Sequence, residues 1–183
     1  MKKTILISGL IIVLLISNAI FVRQMSEAQS TSGNREEKTL FHMLVGVTEV
    51  LTESPAILDL YTEDFTEAEH ELFCEAINSV SRTMNQIEGT LNYIHVDDLD
   101  WHRELYQNGI FPIQRTMEEI ADGEIHSEET VHEISNILRE QGQFLSDMIY
   151  VEQIGIEGLY DEENQEKIRA ILQEANRRIE EEI

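Results

Sequence analysis

From Phe73 to Ile94 apolar residues recur at alternating spacings of four and three: Phe73, Ile77, Val80, Met84, Ile87, Leu91 and Ile94. A helix with 3.6 residues per turn lines such a series up on one stripe, whereas a strand would throw successive members to opposite faces. The pattern therefore predicts a long helix that buries one side. Just ahead of it Thr66 and Glu69 stand three apart, the arrangement of a capping box, which fixes where the helix begins.

The same spacing runs through the rest of the chain after Arg35. A first run carries Leu40, Leu44, Val47, Leu51, Leu58 and Tyr61, interrupted at Pro55. Either Ser54 caps a new short helix with proline at its first position, or one longer helix kinks there. A third run reads Leu99, His102, Tyr106, Ile113, Met117 and Ile120, with Asn108-Gly109 and Pro112 in its middle. Proline removes a backbone donor, so a sharp kink or two short helices joined at Gly109 are expected, ended by Asp122-Gly123. Ser127 opens a fourth helix with Val131, Ile134, Leu138, Gln141, Leu145 and Met148 on its stripe. Gly155 and Gly158 then break the chain, and Asp161 starts a last helix with Ile168, Leu172, Ala175, Ile179 and Ile183. No β-type alternation of useful length and no internal repeat is present. The expected fold class is all-α, an antiparallel four- or five-helix bundle over residues 35–183, with short connections joining neighbours. Sustained four-three spacing also suits a coiled coil between chains, so a homodimer is among the expected states.

Ahead of the bundle lies a different kind of segment. Thr4 to Val22 is a 19-residue stretch without a charge, rich in Ile, Leu and Val and preceded by Lys2 and Lys3. As a helix it would extend about 28 Å, close to the hydrocarbon thickness of a bilayer. Residues 1–23 are therefore expected to form one N-terminal transmembrane helix, a signal-anchor whose lysines keep the N-terminus inside and place the body outside. The competing expectation is cleavage at Ser17-Asn18-Ala19, a small-x-small site, which would release the body as a secreted protein. Ile20, Phe21 and Val22 prolong the apolar run past that site and favour the anchor. Residues 24–34, with Ser26, Gln29, Ser30, Thr31, Ser32, Gly33 and Asn34, read as a flexible linker.

Charge excludes several functions. Of the 13 basic residues, Lys2, Lys3 and Arg23 bracket the apolar run, leaving ten against 36 acidic ones, a net of −26 for the remainder. Such a surface repels phosphate backbones and anionic headgroups, so neither nucleic-acid binding nor attachment through a basic patch is expected. The single cysteine, Cys74, forms no intramolecular disulfide and reads as a small, partly buried apolar residue on the second helix.

Two patterns are candidates for metal chemistry. Glu-x-x-His occurs at Glu67 to His70 and at Glu129 to His132, and two such pairs on facing helices are one half of a di-metal carboxylate site. At 100° per residue His70 falls about 20° from Ile77, an angle that allows it to point inward, whereas Glu129 falls about 180° from Leu138, on the side away from the core. The two pairs cannot surround one buried centre on that disposition. Glutamates are also favoured in first helical turns. The second pattern packs His95, Asp97, Asp98, Asp100 and His102 into eight residues. Aspartates suit hard cations and histidines suit zinc, but the spacing lacks the glycine and distal glutamate of a calcium loop, and aspartates before a helix are ordinary caps. His70, His95, Asp97, Asp98, Asp100 and His102 are thus the candidate metal ligands. No nucleophile elbow, phosphate loop or paired-cysteine motif occurs, and no cofactor is expected. The expectation is a membrane-anchored extracytoplasmic module without enzyme activity. It would work by binding an envelope or membrane protein or a small ligand, with a metal protein and a structural spacer as the alternatives.

Overall fold

The computed structural model describes residues 35–91, 104–159 and 161–183, and these are helical with no strand among them. The N-terminal apolar run, the linker and the segment holding His95, Asp97, Asp98, Asp100 and His102 lie outside the described residues. Among the described residues no helix is long and apolar enough to cross a membrane.

Helix α1 spans Arg35–Leu58 and α2 spans Glu67–Leu91. A π-helical stretch, Tyr106–Ile110, runs directly into α3, Phe111–Ala121. Helix α4 spans Glu128–Ser146 and continues as a second π-helical stretch, Asp147–Val151. A single turn, Gly155–Gly158, leads to α5, Glu162–Glu182. The helices close into a ring in the order α1, α2, α3, α5, α4, each packed on two neighbours. Their inward stripes form one core, from Met43 and Leu44 on α1 to Leu172 and Ile179 on α5.

Directions follow from the cross-helix contacts. On α4 Ser135 donates to the carbonyl of Pro55 at 3.1 Å, and Gly142 lies against Leu51, so α1 and α4 are antiparallel. Cys74 pairs with Ala121 and Ser81 with Glu118, so α2 and α3 are antiparallel too. Arg169 bonds Glu104 while Asn176 bonds Asn108 and Gly109, so α5 runs parallel to the π-stretch and α3. That parallel pair is a departure from an all-antiparallel bundle. It arises because α5 inserts between α3 and α4. The link from α3 to α4 crosses the end of the ring beside the α1–α2 connection, where the Tyr61 hydroxyl donates to the His126 carbonyl at 2.9 Å.

The local signals place the helix ends as expected. Thr66 and Glu69 make both capping-box bonds, at 3.1 and 3.4 Å, and α2 starts at Glu67. The Ser127 side chain accepts from the Thr130 amide, and Asp161 accepts from the amides of Glu163 and Asn164. Gly123, at φ 75°, ends α3 in the left-handed conformation.

The two prolines resolve differently. Pro55 sits inside α1, which is one continuous helix, so Ser54 caps nothing; its hydroxyl is buried without a hydrogen-bond partner. Pro112 produces neither a break at Gly109 nor two separate helices. It stands in the first turn of α3, and the preceding backbone widens into the π-stretch. Having no N–H, Pro112 cannot serve the Asn108 carbonyl four residues back. The Nδ2 group of Asn176 on α5 donates to Asn108 at 2.9 Å and to Gly109 at 3.0 Å, so the carbonyl that Pro112 leaves without its helical donor is satisfied from outside its own helix. Gly109 also has Leu172 against it, where a side chain would crowd. Ile183, expected on the buried stripe of the last helix, is 64% exposed because it lies past the helix end.

Candidate functional site

His70 is the one candidate metal ligand that the structure describes, and it is exposed. Its angle on the helix lies close to that of Ile77, yet its side chain is exposed. Helix α3 ends at Ala121, level with Cys74, so the first turn of α2 projects one turn beyond its partner. The angle that would allow an inward orientation is not used. His70 instead stands beside Cys74, with Nδ1 3.5 Å from Sγ. Glu67 and Glu129 are exposed, whereas His132 is half-buried with an Nε2 that has no hydrogen-bond partner. Among the described residues no three His, Cys, Asp or Glu side chains converge as a metal site would require.

Cys74 is half-buried and its thiol donates to the Ala121 carbonyl at 3.3 Å. Burial pushes the thiol up from its ordinary value, and Asp122 adds to the effect. A thiol held in that state is a poor nucleophile.

Polar side chains cluster in three other places. Between α2 and α3, Glu118 accepts from Ser81 at 2.7 Å and from Gln114 at 2.9 Å, and Gln114 also donates to Asn85. Between α1 and α4, Asp59 accepts from Ser135 and from Arg139, both at 2.6 Å. At the end of the ring Glu63 and Glu128 each accept from the other's backbone amide, at 3.3 and 3.2 Å. Apart from Gln114 to Glu118, which lies within α3, these bonds join one helix or connection to another, and they position the ring.

What remains is a surface. The outward stripe of α1 carries His42, Val45, Glu49, Glu53 and Ala56, of which Ala56 is exposed and the others half-buried. Burial and the neighbouring Glu53 push the Glu49 carboxyl above its ordinary range. Alongside it the end of α4 exposes Phe144 by 47%, Tyr150 by 55% and Val151 by 73%. The phenol of Tyr150 is raised by its own burial and by Glu49, which marks the two elements as adjacent. Sequence reasoning missed this surface because it followed the buried stripes. The available signal was that Phe144, Tyr150 and Val151 are large apolar residues off the stripe. A second signal was that no lysine or arginine occurs from Thr39 to Ser81 or from Glu140 to Glu166. Comparison with protein-family models, with curated proteins and with solved structures finds no match to this chain.

Proposed function

We propose that this protein is a membrane-anchored helical bundle that works by binding a partner on the extracytoplasmic side, without a catalytic step. The observation that carries the reading is the uncharged run from Thr4 to Val22 behind Lys2 and Lys3, joined by residues 24–34 to an acidic bundle. Supporting it, the polar clusters of the bundle are occupied with holding helices together, while Phe144, Tyr150 and Val151 expose large apolar side chains near the end of α4. An acidic body beside a membrane favours a protein with basic groups over a nucleic acid or a bare anionic bilayer.

Membrane fractionation of the full-length protein with an intact-mass measurement tests the anchor. The expected result is a chain of unprocessed N-terminus that stays in the membrane pellet after a high-pH wash. A soluble chain lacking its first 19 residues, cut after Ala19, overturns anchoring and leaves a secreted protein. Elemental analysis of the same chain, purified without chelator, tests the kind of function. One transition metal per chain that survives dialysis would replace the binding module by a metal protein, with His95, Asp97, Asp98, Asp100 and His102 as the first ligands to vary.

A further inference from the structure

We infer that Asn108 is a site of self-modification held in check by Asn176: when the Tyr106–Ile110 stretch opens, Asn108 deamidates through a cyclic imide formed with the Gly109 nitrogen. Asn108 is the one asparagine of the sequence followed by glycine, so the main-chain nitrogen next to its side chain is shielded by no side chain of its own residue. Asn108 is exposed to water, whereas Gly109 is buried with Leu172 packed on it. A Cβ at position 109 would meet Leu172 Cδ1 at 3.0 Å and Leu172 Cβ at 3.2 Å. The packing of α5 on this turn thus keeps the glycine in place, and the reactive pair with it. The inference is independent of the binding-module reading.

The step needs no co-reactant other than water. The Gly109 nitrogen gives up its proton, attacks Asn108 Cγ and closes the ring; the Cγ–Nδ2 bond breaks, and ammonia leaves with a proton returned from solvent. Water then opens the ring at either carbonyl and gives aspartate or isoaspartate, the latter with an extra carbon in the main chain. Ring closure requires the peptide plane between Asn108 and Gly109 to turn far from its helical setting. That plane is held in two ways. Both residues lie inside the π-helical stretch. The Asn108 carbonyl, which shares a plane with the Gly109 nitrogen, accepts from Asn176 Nδ2 at 2.9 Å, and the Gly109 carbonyl accepts from the same group at 3.0 Å. Asn176 is buried and its Oδ1 has no hydrogen-bond partner among the described residues, so this amide is committed to holding the two carbonyls. An isoaspartate at position 108 lengthens the main chain between them and moves them off Asn176. The product cannot regain the clamp, and α5 loses its hold on the approach to α3.

The test incubates full-length protein in detergent micelles in mildly alkaline buffer and follows the change of Asn108 to an acid by peptide mass spectrometry. Asp122-Gly123 can isomerise without a change of mass and does not mimic this signal. Folded wild type is expected to react at Asn108 at least about tenfold more slowly than the urea-unfolded chain. Asn176→Ala should speed the reaction in the folded protein about tenfold, while Gly142→Ala, which loosens the fold between α1 and α4, should leave it within about twofold of wild type. Should Asn176→Ala not fold, wild type alone decides: below the unfolding transition, added urea must raise amide exchange over residues 106–112 and the rate at Asn108 together. Equal rates in folded and unfolded wild type, an Asn176→Ala rate no greater than that of Gly142→Ala, or exchange that rises without the reaction each overturns the inference.

Discussion

Replacing Gly142 by alanine adds one methyl group where the α4 backbone lies on the α1 backbone. A Cβ there would stand 2.9 Å from the Leu51 carbonyl carbon and 3.0 Å from both Leu51 Cβ and its carbonyl oxygen. Leu51 is fully buried, and two of the three atoms met are main chain, so no rotamer change removes the clash. The two helices must separate by about 0.5 Å to restore ordinary contact, which loosens packing along their shared interface. Pro55 compounds the cost. It has no N–H for the Leu51 carbonyl, so that group faces Gly142 without its usual helical donor. Overpacking of this kind costs about 1–3 kcal/mol, while alanine in place of a mid-helix glycine returns about 1 kcal/mol of helix propensity. Because the atoms met are mainly backbone and cannot give, the overpacking lies at the upper end of that range, about 2–3 kcal/mol, so the expected net loss is about 1–2 kcal/mol, which for a domain of this size lowers Tm by roughly 2–8 °C. Differential scanning calorimetry of Gly142→Ala beside Gly123→Ala reads this directly. Gly123 has φ 75° and open space around it, so its alanine variant carries only backbone strain of about 1 kcal/mol. A Gly142→Ala protein that melts at or above wild type would refute the close approach.

Asn176→Asp keeps the shape of the side chain but turns a donor into a carboxylate facing the Asn108 and Gly109 carbonyls. It should cost about 2 kcal/mol or more and speed amide exchange over residues 106–112, and an unchanged exchange rate there would count against the clamp. Glu49→Gln removes a charge whose folded-state carboxyl is raised above its ordinary value of 4.5. The ionised carboxylate destabilises the fold above the raised value, and the penalty vanishes below the unfolded one. The variant should therefore melt above wild type at pH 7, with the gap closing as pH falls through the carboxylate range; a gap that widens on acidification would exclude this account. Cys74, raised by burial and by Asp122, should react with a maleimide at pH 8 more slowly than free cysteine, and Asp122→Asn should speed it; stopped-flow alkylation distinguishes the outcomes.

Much of the fold was legible because its signals are local. The capping box at Thr66 and Glu69, the caps Ser127 and Asp161 and the turn at Gly123 act within four residues of themselves, and each sits at the predicted end. The stripes were legible for the same reason, since Val131, Ile134, Leu138 and Leu145 share one helix and one face. Whether His70 would be buried was not legible, because periodicity supplies an angle but not a neighbour, and α3 ends at Ala121, level with Cys74. The candidate surface escaped notice because exposure of Tyr150 and Val151 depends on which helices cover them.

The amino-acid sequence alone therefore determined an acidic body that is helical throughout its described residues, a count of four or five helices, and most of their ends. These follow from hydrogen bonds and side-chain spacing inside one segment. Only the tertiary structure decided the order of the ring, the parallel placement of α5 beside α3 and the fate of the two prolines. Pro112 needs donors that Asn176 brings from more than 60 residues away, and α1 and α4 close on each other at Gly142, whose missing side chain gains meaning only when Leu51 stands opposite. Such contacts depend on the relative position of whole helices, and a one-dimensional pattern carries no record of it.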